Sequence, residues 1–266
     1  MNAYVILVLC ALMLWKNTAE ALNLARQKAA LVLIPLLAQL GPLTIRAADE
    51  SPASVAPSMV QLSASYNQGN AYLINGEFDK AFLEFDRVIS ANPSANADFY
   101  LSRGIVNEKL LHWDAALSDY NAALKLSNKN IFSKEDPVIY NNIANAYTGL
   151  QDWSNALKNF KYAIKLKPDF IAPQIGKNLV VYELGGTNEA KYYFQQLINK
   201  YPSFADGLGI YSIILFAEGN SDEAREYWER CLENDSRYLD VDWVRDIRRW
   251  SPRLVNELTE FKRSIQ

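Results

Sequence analysis

From Leu62 onward one arrangement keeps returning: an alanine followed four positions later by an aromatic residue. It occurs as Ala81 with Phe85, Ala116 with Tyr120, Ala156 with Phe160, Ala190 with Phe194 and Ala224 with Trp228. The alanines are spaced by 35, 40, 34 and 34 residues. A period of this length marks stacked supersecondary units, none of which buries its apolar face alone. The longer interval contains Asn128 to Asp136 (NKNIFSKED), a polar stretch that reads as an extended loop. An ordinary helical bundle has no reason to hold such a period through successive intervals.

Three further features keep the same register. A turn precedes the alanine (Asn75-Gly76, Gly185-Gly186, Gly219-Asn220), often beside an aromatic (Phe78, Trp113, Trp153). That turn splits each unit into two helices. The alanine lets two helices approach, and the aromatic one turn later shares its face. Pro93, Pro168 and Pro202 then end second helices, because proline cannot continue the hydrogen-bond ladder.

These residues resemble the tetratricopeptide-repeat family. The stretch YNNIANAYTGLQDWSNALKNFKYAIKLKP from Tyr140 to Pro168 reads as one nearly complete repeat, and Gly69 with Tyr72 fits a first helix. The resemblance covers residues 62–236 and implies an all-α, right-handed superhelical solenoid of about five helix pairs. The expected repeats are 62–95, 97–130, 137–170, 171–204 and 205–236. The fourth carries Asn178 and Val181 where a small residue and an aromatic are usual, and the fifth lacks a closing proline.

Residues 237–266 read as a C-terminal cap for the exposed end of the stack. Trp243, Ile247 and Trp250 sit at helical spacing, and Ser251-Pro252 opens a helix carrying Leu254, Leu258 and Phe261. Arg245, Arg248, Arg249 and Arg253 are expected to form a solvated face.

Residues 1–46 differ from the rest. An apolar run over 3–15 and a second from Ala29 to Ile45 flank a stretch in which Lys16, Arg26 and Lys28 outnumber Glu20. Each run is short for a membrane span, which takes about 20 residues. Two paired anchors, or a leader cleaved near Ala47-Ala48, both fit; so do two core helices of a soluble protein. Residues 47–61, rich in Ala, Ser and Pro, read as a linker.

Function is narrowed first by what is missing. The net charge of -3, with Lys and Arg dispersed, provides no basic stripe for nucleic-acid phosphates. Cys10 and Cys231 lie in unlike surroundings and do not form a credible disulfide framework. The sole histidine, His112, has no metal-binding or catalytic companions in sequence. No nucleophile elbow, phosphate loop or dinucleotide fingerprint is present, so neither cofactor nor enzyme activity is expected.

In the family the first helices line a concave binding face. By register this places Tyr66, Asn70, Leu101, Ile105, Glu108, Asn141, Asn145 and Thr148 on it. Asparagine offers both a donor and an acceptor, suited to the backbone of an extended peptide. Members that capture chaperone C-terminal carboxylates use a Lys, Asn and Arg clamp there. Here Tyr66, Val138 and Asn142 replace its basic residues and only Asn70 remains, so chaperone-tail binding is not expected. The leader and the closing WVRDIRRWSPRLVNEL stretch are loosely similar to thylakoid and cyanobacterial repeat proteins. That likeness implies an assembly factor for a photosynthetic membrane complex, on the lumenal side of a plastid thylakoid or in a bacterial envelope. A soluble cytosolic adaptor and an enzyme with an unrecognised site are the competing readings.

Overall fold

The computed structural model describes residues 59–92, 96–127 and 135–265. The N-terminal apolar runs, Cys10, most of the stretch read as linker, Pro93 and most of the Asn128–Asp136 insertion lie outside these residues. Helices come in pairs: α1 (Met59–Ile74) with α2 (Phe78–Ala91), α3 (Ala97–Lys109) with α4 (Trp113–Ser127), and α5 (Pro137–Gly149) with α6 (Trp153–Leu166). Next come α7 (Ile171–Glu183) with α8 (Thr187–Lys200), and α9 (Ala205–Ala217) with α10 (Ser221–Asn234). Each second helix also packs on the next first helix, so the chain advances pair by pair into a solenoid. There is no strand among the described residues, and no helix there is long and apolar enough to cross a membrane.

One turn joins the helices of every pair. A residue with positive φ sits five positions before each recurring alanine: Gly76 (78°), Leu111 (61°), Gln151 (59°), Gly185 (91°) and Gly219 (88°). The next residue donates its N–H five positions back, as in Glu77 to the Tyr72 carbonyl, His112 to Asn107 and Asp152 to Tyr147. This left-handed stop satisfies carbonyls that the helix end would otherwise orphan. Two of the five turns therefore use side-chain-bearing residues, which is why Gly marked only three of them in the sequence.

Packing explains the alanine and aromatic period. All five alanines are fully buried, and so are Phe85, Tyr120 and Phe194; Phe160 and Trp228 are nearly so. Sixteen residues before each aromatic the first helix presents Gly69, Gly104, Ala144, Asn178 and Ser212. A Cβ on Gly69 would come 2.7 Å from the Phe85 ring and one on Gly104 2.6 Å from Tyr120, so only glycine fits. In the two degenerate repeats the larger residues each turn a donor onto backbone. Asn178 Nδ2 donates to the Gln174 carbonyl at 2.8 Å, and Ser212 Oγ to the Ala224 carbonyl at 2.7 Å.

The end of the stack is capped. Helix α11 (Pro252–Ser264) buries Leu254, Leu258 and Phe261 completely, packing on α9, with the Phe261 ring against Trp228 and Phe216. The stretch before it departs from the sequence reading. A short helix (Val241–Trp243) runs into a π-helical turn (Val244–Arg248), and Arg249 at φ 57° stops it. The break rotates Trp250 into the core while Ile247 stays half exposed, so the two do not share one stripe.

Candidate protein-binding groove

Helices α3, α5 and α7 and the returning segment 245–252, with single residues from α4, α6 and α9, line a cavity of 510 Å³. Its apolar wall includes Trp113, Phe160, Ile175, Leu179 and Val180; Asn145 and Thr148 add polar atoms, and Glu108, Asp206 and Asp246 are its acids. Trp113 is held in place by close packing: a Cβ on Gly149 would come 2.2 Å from its indole.

Glu108 and Asp206 are buried and fully engaged, whereas Asp246 is exposed. Glu108 accepts from the Tyr120 hydroxyl at 2.6 Å on one oxygen and from Arg249 on the other. Arg249 also donates to the Glu108 carbonyl at 3.0 Å, and its guanidinium lies 5.0 Å from the Trp113 ring centre. Asp206 accepts from Tyr238 and from the Trp250 indole, each at 2.8 Å, and pairs with Arg248. Burial, reinforced by Glu108, raises the Tyr120 phenol above its usual range. Burial and the neighbouring Arg249 hold the Lys109 ammonium below its own.

Three of the four arginines expected to be a solvated face are fasteners instead. Besides Arg248 and Arg249, Arg253 donates its N–H to Glu183 at 2.9 Å and its guanidinium to the Tyr182 carbonyl at 2.9 Å, lying over the Tyr182 ring. The planar guanidinium can fork to a carboxylate and stack on a ring at once, which suits it to half-buried sites. Arg245 alone is exposed, pairing with Asp242 and Asp246.

Of the residues placed by register on the concave face, Glu108, Asn145 and Thr148 meet in this cavity. Thr148 donates back to the Ala144 carbonyl at 3.0 Å, leaving its lone pairs available. Tyr66 serves packing between the first two repeats: its ring meets Phe85 and Phe99, and its hydroxyl lies 3.3 Å from Ser102 Oγ. Leu101 and Ile105 are half-buried against the core around Tyr120 and Ile143. Asn141 is buried and donates to Asn142 at 3.2 Å; Asn70 is half-buried. Sequence reasoning missed Trp113, Asp206 and the 245–252 segment as groove elements. Asp206, an acid on the otherwise apolar run ADGLGIYSIILFA, was the available signal.

Comparison with known proteins bears on this arrangement. Sequence models of the tetratricopeptide repeat match residues 66–131, 137–170 and 181–203. The chain is a tetratricopeptide-repeat protein. Proteins of this family are protein-interaction scaffolds. Human mitochondrial import receptor subunit TOM70 is 23% identical over 197 residues, covering 67% of this chain but 31% of that protein. Yeast heat shock protein STI1 is 31% identical over 99 residues, covering 37% of this chain and 16% of its own. The chain thus spans less than a third of the length of these relatives. Among solved structures, TTC0263, a TPR protein of Thermus thermophilus, has a TM-score of 0.55 at 18% identity, covering 70% of this chain and 98% of its own. Pseudomonas aeruginosa pilF has a TM-score of 0.54 at 16% identity, covering 77% and 90%. At these identities the likeness is one of fold: the solenoid of this tetratricopeptide-repeat protein is shared.

Proposed function

We propose that this tetratricopeptide-repeat protein holds an extended segment of another protein against the inner face of its repeats, assisting assembly of a complex at a membrane. The observation that carries the binding reading is the 510 Å³ cavity, where Asn145 and Thr148 stand beside apolar walls. Such a surface offers hydrogen bonds to a peptide backbone and room for an apolar side chain. Tyr66, Val138 and Asn142 carry no positive charge, so an acidic chaperone tail finds no clamp. Micromolar binding of such a tail in calorimetry would overturn that exclusion.

Screening an immobilised library of extended peptides with the full chain, and with Asn145→Arg and Thr148→Arg, tests the groove. Captured peptides should lose at least about tenfold in affinity in both variants, since each arginine places charge and bulk in the cavity. Unchanged affinities, or no captured peptide, would refute the reading. The membrane part rests on the two apolar runs within residues 1–45, an anchor or a leader. Fractionation with protease protection decides it: a full-length protein found only in the soluble cytosol sinks it in favour of a soluble adaptor.

A further inference from the structure

We propose that the segment from Arg245 to Arg249 is a built-in ligand of the groove, and that the partner which replaces it carries an arginine next to an apolar residue. The inference rests on the inner face being a protein-binding surface and names the chemistry that surface selects.

The contacts of Arg249 are those expected of a recognised side chain. Its guanidinium meets a buried carboxylate and a main-chain carbonyl on Glu108, 141 residues away in sequence, and a ring face on Trp113. Charge, hydrogen-bond geometry and a cation–π contact converge on one group, which selects arginine over lysine. Beside it the cavity has apolar walls from Ile175, Leu179 and Val180, able to take the neighbouring side chain of an incoming segment.

The segment is also held under conditions that favour its release. Val244–Arg248 forms a π-helical turn and Arg249 has positive φ, both unfavourable backbone choices for such residues. Arg249 Nε is buried without a hydrogen-bond partner. That unmade bond costs the desolvation of its donor, an expense the open state avoids. Arg248 and Arg249 further crowd the Lys109 ammonium. By contrast Trp250 is 3% exposed, with its indole on Asp206, and Leu254 and Leu258 are fully buried. Lifting residues 245–249 breaks the Arg248 pair with Asp206, which keeps the Tyr238 hydroxyl and the Trp250 indole as donors, while Trp250 and α11 hold the cap in place.

The test uses a fluorescent peptide of residues 244–250 (VRDIRRW) and the full chain. A tethered segment competes at an effective concentration of about millimolar, so the wild-type chain should bind the peptide weakly. Arg249→Gln, which frees Glu108, should bind it at least about tenfold more tightly. Adding Glu108→Gln, which keeps an acceptor for Tyr120 but removes the charge, should abolish that gain. Equal binding by the wild type and Arg249→Gln, or a gain that survives Glu108→Gln, overturns the proposal. If Arg249→Gln fails to fold, hydrogen exchange on the wild type decides: excess peptide should expose amides 245–249 while α11 keeps its protection. Exchange left unchanged overturns the proposal. Library peptides that bind the wild type and Arg249→Gln alike sink this inference and leave protein binding intact. A chain that binds its own segment but no library peptide sinks the broader reading instead.

Discussion

The ring of Tyr120 occupies the space where a side chain on Gly104 would begin, its Cε1 2.6 Å from the site of a Cβ. The ring cannot retreat, because it is fully buried and its hydroxyl is fixed on Glu108 at 2.6 Å. Gly104→Ala gains about 1 kcal/mol of helix propensity. Forced overpacking costs about 1–3 kcal/mol and acts on the same site. Because the ring is pinned, the steric term is expected to win, and urea unfolding should show a net loss. A midpoint equal to or above the wild type would mean that the repeats yield at this contact.

The turns supply the opposite case. Gln151 takes a left-handed conformation at φ 59° that Gly76, Gly185 and Gly219 adopt freely. A non-glycine residue there costs about 1–2 kcal/mol, partly offset by the greater chain entropy of unfolded glycine. Gln151 is exposed, so replacing it removes no core packing. Gln151→Gly should raise stability by about 0.5–1 kcal/mol, and Gly76→Ala should lower it by about 1 kcal/mol. Measured in the same urea series, effects of the reverse sign would show that the turns do not limit stability.

Arg103 joins the first two repeats. Its guanidinium pairs with Asp86 at 2.6 Å and Asp119 at 2.7 Å, and lies over the rings of Phe82 and Tyr100. Asp119 is buried and also accepts from Asn107 at 2.9 Å. Removing the cation leaves a buried carboxylate short of a partner, a loss of about 3–5 kcal/mol for a fully buried pair and somewhat less for this one, whose guanidinium keeps some contact with solvent. Lysine supplies charge but no fork. Arg103→Lys should therefore recover well under half of the stability lost in Arg103→Ala. Full recovery would show that charge alone matters.

The repeat was legible in the sequence because its cause is local and recurrent. The same alanine and aromatic meet at each step, as Ala81 with Phe85 and Ala224 with Trp228, so one packing solution prints a period. The cap was legible from Leu254, Leu258 and Phe261 for the same reason. The groove was only partly so. Glu108 falls on the inner face by register, but its partner is Arg249, brought back by the break at Arg249 itself. A long-range return of this kind leaves no period to read. Nor does the exchange of a glycine turn for Leu111 or Gln151, since the left-handed stop is a property of the backbone that most side chains merely tolerate.

Alkaline pH should unfold the stack abruptly. Burial raises the phenols of Tyr120, Tyr182 and Tyr238 above their usual range, with Glu108, Glu257 and Asp206 adding to the effect. Burial also pushes the Cys231 thiol up to about 12. In each case the folded state holds its proton more tightly than the unfolded chain. The resulting stability is therefore complete below the unfolded values, about 8.5 for a thiol and about 10 for a phenol. It drains away as pH rises above them. Each group removes about 1.4 kcal/mol per pH unit once the unfolded chain ionises and the fold does not. Above pH ~10 the three buried phenols add about 4 kcal/mol per unit to the thiol's share, steepening the fall to about 5–6 kcal/mol per unit. These groups should leave the urea midpoint nearly level from pH ~7 to ~8.5, lower it slightly as Cys231 begins to contribute, then collapse it above pH ~10. Tyrosinate absorbance should rise together with loss of helix. Ionisation of most tyrosines ahead of unfolding would show that these phenols are not sealed in the repeat cores.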